Sequence, residues 1–124
     1  MKKKILVIDD DESIRFILKH VLHKDYEIVC EENGCEGLIY LQKGNIPDLI
    51  ILDLIMPELN GVDFIKNIKQ SNYFNSIPII VLSAKENSKE KIECFKLGAD
   101  DYIIKPFNPE ELKLRTLNLL KRTN

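Results

Sequence analysis

The 124-residue sequence has no apolar run long enough to cross a membrane. Its longest stretches, such as Ile5 to Ile8 and Leu49 to Leu52, are strand-sized, against the roughly 20 residues that a membrane-spanning helix requires. No signal peptide is readable, because Lys2 to Lys4 lead straight into a short apolar run that ends in acids. Cysteine is scarce. Cys30, Cys35 and Cys94 are odd in number and lack C-x-x-C spacing, which disfavours a disulfide framework and a zinc site and fits a reducing cytoplasm. His20 and His23 stand three apart on a predicted helix, but no third ligand is near them in sequence, and they read as solvated surface residues. Positive charge is not in excess. The formal net charge is −2, so no broad basic field exists to hold a nucleic-acid backbone. There is no low-complexity segment, linker or repeat, and neither G-x-x-x-x-G-K-[ST] nor G-x-G-x-x-G follows any strand, which argues against the common nucleotide-binding loops.

What is present is an ordinary globular balance, with 44% hydrophobic and 31% charged residues, and a length suited to one domain across residues 1–124. Ile5-Leu6-Val7-Ile8 reads as a strand buried on both faces. Ile14, Ile17, Leu18, Val21 and Leu22 follow at i, i+3, i+4, i+7 and i+8, the apolar stripe of a helix whose positive end suits Asp11 and Glu12. The alternation continues with strand Tyr26–Cys30, a turn at Asn33-Gly34, helix Cys35–Lys43 stopped by Gly44, and strand Leu49–Leu52 running into Asp53. A helix over Val62–Lys69, strand Ile79–Leu82, a helix over Lys89–Leu97 with Ser88 as N-cap and Gly98 at its stop, and strand Tyr102–Ile104 come next. Asn108-Pro109-Glu110-Glu111 opens the last helix, with Leu112, Leu117 and Leu120 as its apolar face. Five apolar strands alternating with five helices imply a doubly wound α/β domain with a parallel sheet covered on both faces.

In such sheets ligands bind beyond the carboxyl ends of the strands. Those ends carry Asp9-Asp10, Asp53, Ser83-Ala84 and Lys105-Pro106. Three converging carboxylates repel one another unless a cation neutralises them. An acidic cluster without Cys or His suits a hard divalent ion such as Mg²⁺, with Mn²⁺ as a substitute. Lys105 adds a fixed positive charge and Ser83 a hydroxyl donor, an arrangement suited to a phosphoryl group transferred in line to Asp53.

These residues resemble the response-regulator receiver family, including chemotaxis-type single-domain regulators. The resemblance spans essentially the whole chain and is strongest in Ile5-Leu6-Val7-Ile8-Asp9-Asp10-Asp11-Glu12, in Asp53-Leu54-Ile55-Met56-Pro57-Glu58-Leu59-Asn60-Gly61, and in Gly98-Ala99-Asp100-Asp101-Tyr102-Ile103-Ile104-Lys105-Pro106-Phe107. It implies a flavodoxin-like strand order of 2-1-3-4-5 and a cytoplasmic two-component switch. By this similarity Asp53 is the phosphoacceptor, Asp10 and Asp53 ligate Mg²⁺, Asp9 acts mainly through water on the ion, and the Ile55 main-chain carbonyl completes the protein ligands. Ser83 matches the switch hydroxyl, Lys105 the lysine of the pattern, and Tyr102 the aromatic that turns inward on activation. The resemblance further implies a cis Lys105-Pro106 bond, a form taken by only about 5–6% of X–Pro bonds in folded proteins.

The implied donor is a histidine kinase or phosphotransfer protein. The implied recipient is a downstream protein or fused output domain, engaged through Lys89–Leu97, Tyr102–Lys105 and Pro109–Lys121, with the chain a monomer or a phosphorylation-dependent dimer and without direct contact to nucleic acid or membrane. The resemblance also implies a phosphoacceptor that catalyses its own loading and unloading, not a turnover enzyme. The main rival, a haloacid-dehalogenase-type phosphatase, expects a second acid two residues after the nucleophile, where this chain has Ile55, and a cap domain for which the length leaves no room. A phosphorylation-independent scaffold on the same fold would normally lack some of these site residues.

Ile55 and Lys85 each stand two residues after a site group, flanking the route of water to an acyl phosphate, and an apolar and a long side chain there should hinder hydrolysis. An Ile55→Asn, Lys85→Glu double variant is therefore expected to lose its phosphoryl group faster than wild type when decay is followed after the donor is removed; an unchanged decay rate would remove the assignment.

Overall fold

Each apolar run becomes a strand: β1 (Lys3–Ile8), β2 (Tyr26–Glu31), β3 (Leu49–Asp53), β4 (Ile79–Ser83) and β5 (Asp101–Ile104). Each amphipathic stretch between or after them becomes a helix: α1 (Glu12–Leu22), α2 (Gly34–Gln42), α3 (Gly61–Gln70), α4 (Ser88–Leu97) and α5 (Pro109–Arg122). These elements come from a computed structural model that describes residues 2–56, 59–84 and 88–122. The strands form one sheet in the order β2-β1-β3-β4-β5, and every neighbouring pair is parallel. The chain therefore moves outward to one side of β1 and then returns to build the other side, and the β1/β3 boundary is where strand order reverses.

Alternation along the strands splits the interior into two cores. Leu6, Ile8, Ile50, Leu52, Ile79 and Val81 face α2, α3 and α4, where Phe64, Ile65, Ile68 and Cys94 meet them. Ile5, Val7, Leu49, Ile51, Ile80 and Leu82 face α1 and α5, where Leu18, Leu22, Leu112, Leu119 and Leu120 meet them. Every residue of β3 and β4 is buried, as expected for parallel strands covered on both sides. Such burial fixes register, because a slip by one residue would exchange the two side-chain sets between faces.

Side-chain caps set several helix starts. Asp11 accepts from Ser13 N at 2.8 Å, Asn33 from Glu36 N at 2.8 Å, Asn60 from Asp63 N at 2.9 Å, and Asn108 from Glu110 N at 2.9 Å; each satisfies an amide that the helix itself leaves unpaired. Because Asn33 is the cap, Gly34 opens α2 instead of belonging to a preceding turn, and Ser88 is the first residue of α4 instead of its cap. Gly44 and Gly98 follow α2 and α4 with φ of 95° and 112°, a left-handed conformation that only glycine adopts cheaply. Two apolar residues sit outside the expected stripes. Ile17 is 41% exposed at the edge of the α1 face, and Leu117 is 40% exposed while Thr116 is buried in its place. On α5 the buried set Leu112, Thr116, Leu119 and Leu120 keeps the i, i+4, i+7, i+8 spacing, which Leu117 does not share.

The start of α3 is held tightly against the end of β3. Gly61 N donates to Leu54 O at 2.8 Å, and a Cβ at Gly61 would lie 2.6 Å from Leu54 Cα and 2.8 Å from Asp53 O. Only glycine permits this approach, which fixes the backbone beside Asp53. By contrast, α4 is lightly anchored. Cys94 is its one buried residue, and Ile92 and Phe95 stand exposed.

Candidate functional site

Parallel strands deliver their last residues to one edge of the sheet. Asp9 and Asp10 follow β1, Asp53 ends β3, Ser83 ends β4, and Lys105 follows β5. The register pairs Ile8 with Leu52 and Ser83 with Ile104, so the polar residues emerge level with one another. Lys105 N donates to Ser83 O at 2.8 Å, which carries the β4–β5 ladder to the site.

Asp9, Asp10 and Asp53 each offer a carboxylate oxygen, and these oxygens lie within 4.8 Å of one another. Asp9 and Asp53 are buried, whereas Asp10 is exposed. Lys105 Nζ lies 2.9 Å from Asp9 Oδ2 and 3.4 Å from Asp53 Oδ1, bridging the two buried acids. The β1–α1 loop is pinned in turn. Asp11 N donates to Asp9 Oδ1 at 2.9 Å, and Arg15 Nη1 donates to the Asp9 carbonyl at 2.7 Å.

One ammonium among three carboxylates does not balance the charge. Burial, with the negative charge of Asp9 and then that of Asp10, pushes the Asp53 carboxyl up to about 6 against the opposing pull of Lys105. Burial also works against the Lys105 charge, but the hydrogen bond and charge of Asp9, together with Asp53, outweigh it and hold the amine above its usual value. The site therefore lacks positive charge and offers only oxygen donors, which fits a hard divalent cation and does not fit a thiophilic one. Among the described residues this is the group of three or more acids, cysteines or histidines close enough to share an ion. His23 Nδ1 lies 2.8 Å from the His20 carbonyl oxygen, and the pair belongs to no such group.

Ser83, at the end of β4, and Tyr102, in β5, both point to a residue that the sequence pattern did not single out. Ser83 Oγ donates to Glu90 Oε1 at 3.2 Å, and Tyr102 OH donates to the same oxygen at 3.0 Å. The Tyr102 ring is already buried, 5% exposed, with Lys91 Nζ 5.9 Å from its centroid. The Tyr102 hydroxyl thus ties β5 to the first turn of α4. The Ile55 side chain is 56% exposed; Lys85 lies outside the described residues. The Lys105-Pro106 bond is cis. Glu90 and Arg15 both contact site residues without a sequence signal. Glu90 is a charged residue in the first turn of a polar helix, and Arg15 is a charged residue on the outer part of an amphipathic one.

Comparison with known proteins decides the family. The model of the response regulator receiver domain matches residues 5–116. The chain belongs to the response regulator receiver family. It is 43% identical over 123 residues to the "probable transcriptional regulator ycf27" of Cyanophora paradoxa, covering 98% of this chain and 50% of that one. It is 39% identical to the alkaline phosphatase synthesis transcriptional regulatory protein PhoP of Bacillus subtilis, over 99% of this chain and 50% of the relative. The chain thus spans about half the length of these curated relatives. The solved receiver domain of the Francisella response regulator 1452 superposes with a TM-score of 0.91 at 35% identity, over 99% of this chain and 100% of that one. The receiver sheet order is the one described above, and no described helix is long and apolar enough to cross a membrane.

The raised Asp53 value makes a signed prediction for the metal-free receiver. An unfolded Asp titrates near 3.9, so between about pH 4 and pH 6 the folded form binds more protons, and stability falls as pH rises through that window. Asp53→Asn is expected to raise the urea unfolding free energy by about 1–3 kcal/mol near pH 7 without metal, and to have little effect below about pH 4. Equal pH profiles for the two proteins would contradict the assigned charge imbalance.

Proposed function

We propose that residues 1–124 form one receiver module that accepts a phosphoryl group on Asp53 in a Mg²⁺-dependent reaction, with Mn²⁺ as a substitute. The donor in this reading is the phosphohistidine of a histidine kinase or phosphotransfer protein. The observation that carries it is Lys105 Nζ held 2.9 Å from Asp9 and 3.4 Å from Asp53 within a cluster of three carboxylates. Asp10 and Asp53, with the Ile55 carbonyl, would hold the cation, and Asp9 would orient water on it. The bound ion would supply charge neutralisation for the carboxylates and for the phosphoryl oxygens.

In this reading the Asp53 carboxylate attacks phosphorus, an O–P bond forms, the donor P–N bond breaks, and the imidazole nitrogen leaves with the bonding pair. Lys105 stabilises charge on the equatorial oxygens, and the Ser83 hydroxyl donates to one of them. A carboxyl that titrates near 6 is substantially ionised near neutral pH, and cation binding would complete its ionisation. The added charge of roughly −1.5 to −2 is the switching event. Its readout would be the surface of α4, β5 and α5, facing a downstream protein or a fused output domain. The protein would load and unload itself without turning over a separate substrate, and would work in the cytoplasm as a monomer or a phosphorylation-dependent dimer. The phosphatase alternative has no second acid, because Ile55 occupies that position.

The test is intact mass after incubation with acetyl phosphate and Mg²⁺. Wild type should gain one phosphoryl group, and neither Asp53→Asn nor wild type with excess chelator should gain it. Equal modification of Asp53→Asn, or sustained release of phosphate from a simple phosphomonoester, would overturn the reading.

A further inference from the structure

We infer that Glu90 is a latch that competes with a phosphorylated Asp53 for the Ser83 hydroxyl, and so couples acceptor occupancy to helix α4. This inference rests on the phosphoacceptor reading of Asp53. Glu90 is a positioning residue that acts through Ser83, seven residues before it.

A single oxygen, Glu90 Oε1, accepts from Ser83 Oγ at 3.2 Å and from Tyr102 OH at 3.0 Å. A serine hydroxyl has one proton to donate. Donation to Glu90 and donation to a phosphoryl oxygen on Asp53 therefore exclude each other. Both acceptors are charged, so the exchange is between two strong hydrogen bonds. Ser83 is 1% exposed, which leaves bulk water little part in the exchange. Half-vacating the hydroxyl would not suffice, because a buried donor must keep a partner.

Packing gives the exchange its consequence. Cys94 is the one buried residue of α4, and Ile92 and Phe95 are 54% and 42% exposed. The contacts of Glu90 in the first turn with Ser83 and Tyr102 therefore add to what ties this helix to the sheet. When the Ser83 hydroxyl turns to the phosphoryl group, Glu90 loses one of these two donors, and α4 loses part of its tether. The signal reaches α4 through a hydrogen-bond exchange while the Tyr102 ring stays buried. Glu90 thereby sets the threshold for switching, since the phosphoryl group must outcompete a carboxylate that is already in place.

The test is a beryllofluoride titration at saturating Mg²⁺, read from backbone amide shifts around Ser83 and Tyr102. It uses wild type, Glu90→Ala, Glu90→Gln, Ser83→Ala and the Ser83→Ala, Glu90→Ala double variant. Glu90→Ala should lower the half-saturating concentration roughly three- to tenfold, the worth of one competing hydrogen bond. Glu90→Gln, which keeps a neutral carbonyl acceptor, should give a smaller gain and carries the test should the alanine variant fold poorly. The gain should vanish when Ser83 is alanine, which separates the latch from a general effect of removing negative charge. Saturation of wild type with no effect of either Glu90 variant, or a gain that persists undiminished in the Ser83→Ala background, overturns the latch alone. Failure of wild type to saturate overturns the phosphoacceptor reading and the latch with it.

Discussion

Lys105 bridging Asp9 and Asp53 is the contact on which the site depends. Two buried carboxylates at the ends of adjacent strands would repel each other strongly enough for one to take up a proton. The lysine from β5 offsets part of that repulsion and leaves the rest, visible in the raised Asp53 carboxyl. This residual imbalance would favour a divalent cation and, through it, an anionic phosphoryl group. A fully neutralised cluster would be a structural ion pair with no affinity to spare.

The hydrophobic framework makes the imbalance tolerable. Buried on both faces, β3 and β4 cannot slide to separate the charges without exchanging their core faces. Gly61 keeps α3 against the end of β3, and Arg15 and the Asp11 amide hold the loop that carries Asp9. Apolar burial thus holds like charges together at the one edge where every strand ends. The same design spares α4, which buries little and is tied to the sheet in part by polar contacts. Like charges are crowded at the acidic edge, while the neighbouring helix buries only Cys94.

The fold was legible because its signals are local and repeated. Apolar runs such as Ile79–Leu82 have no reading other than buried strands once helical stripes separate them, and Asn108-Pro109-Glu110-Glu111 announces a helix start directly. Misplaced details arose where one residue could serve two faces. Leu117 looked apolar enough for the α5 core, but Thr116 holds the correct angular position. The acids and the lysine at the strand ends were legible as a group because topology brings strand ends together whatever the loops do. Glu90 was not, since a glutamate in the first turn of a polar helix is what solvation and the helix dipole would favour anyway. Its contact with Ser83 and Tyr102 depends on a side-chain direction that spacing does not encode.

Anomalous diffraction from crystals soaked in Mn²⁺ would show whether the crowded carboxylates hold a divalent cation. One strong peak is expected at the carboxyl edge of the sheet, ligated by oxygens of Asp10 and Asp53 and lost in Asp53→Ala. A peak elsewhere on the protein, or none at Mn²⁺ concentrations that saturate other acidic clusters of this kind, would contradict it.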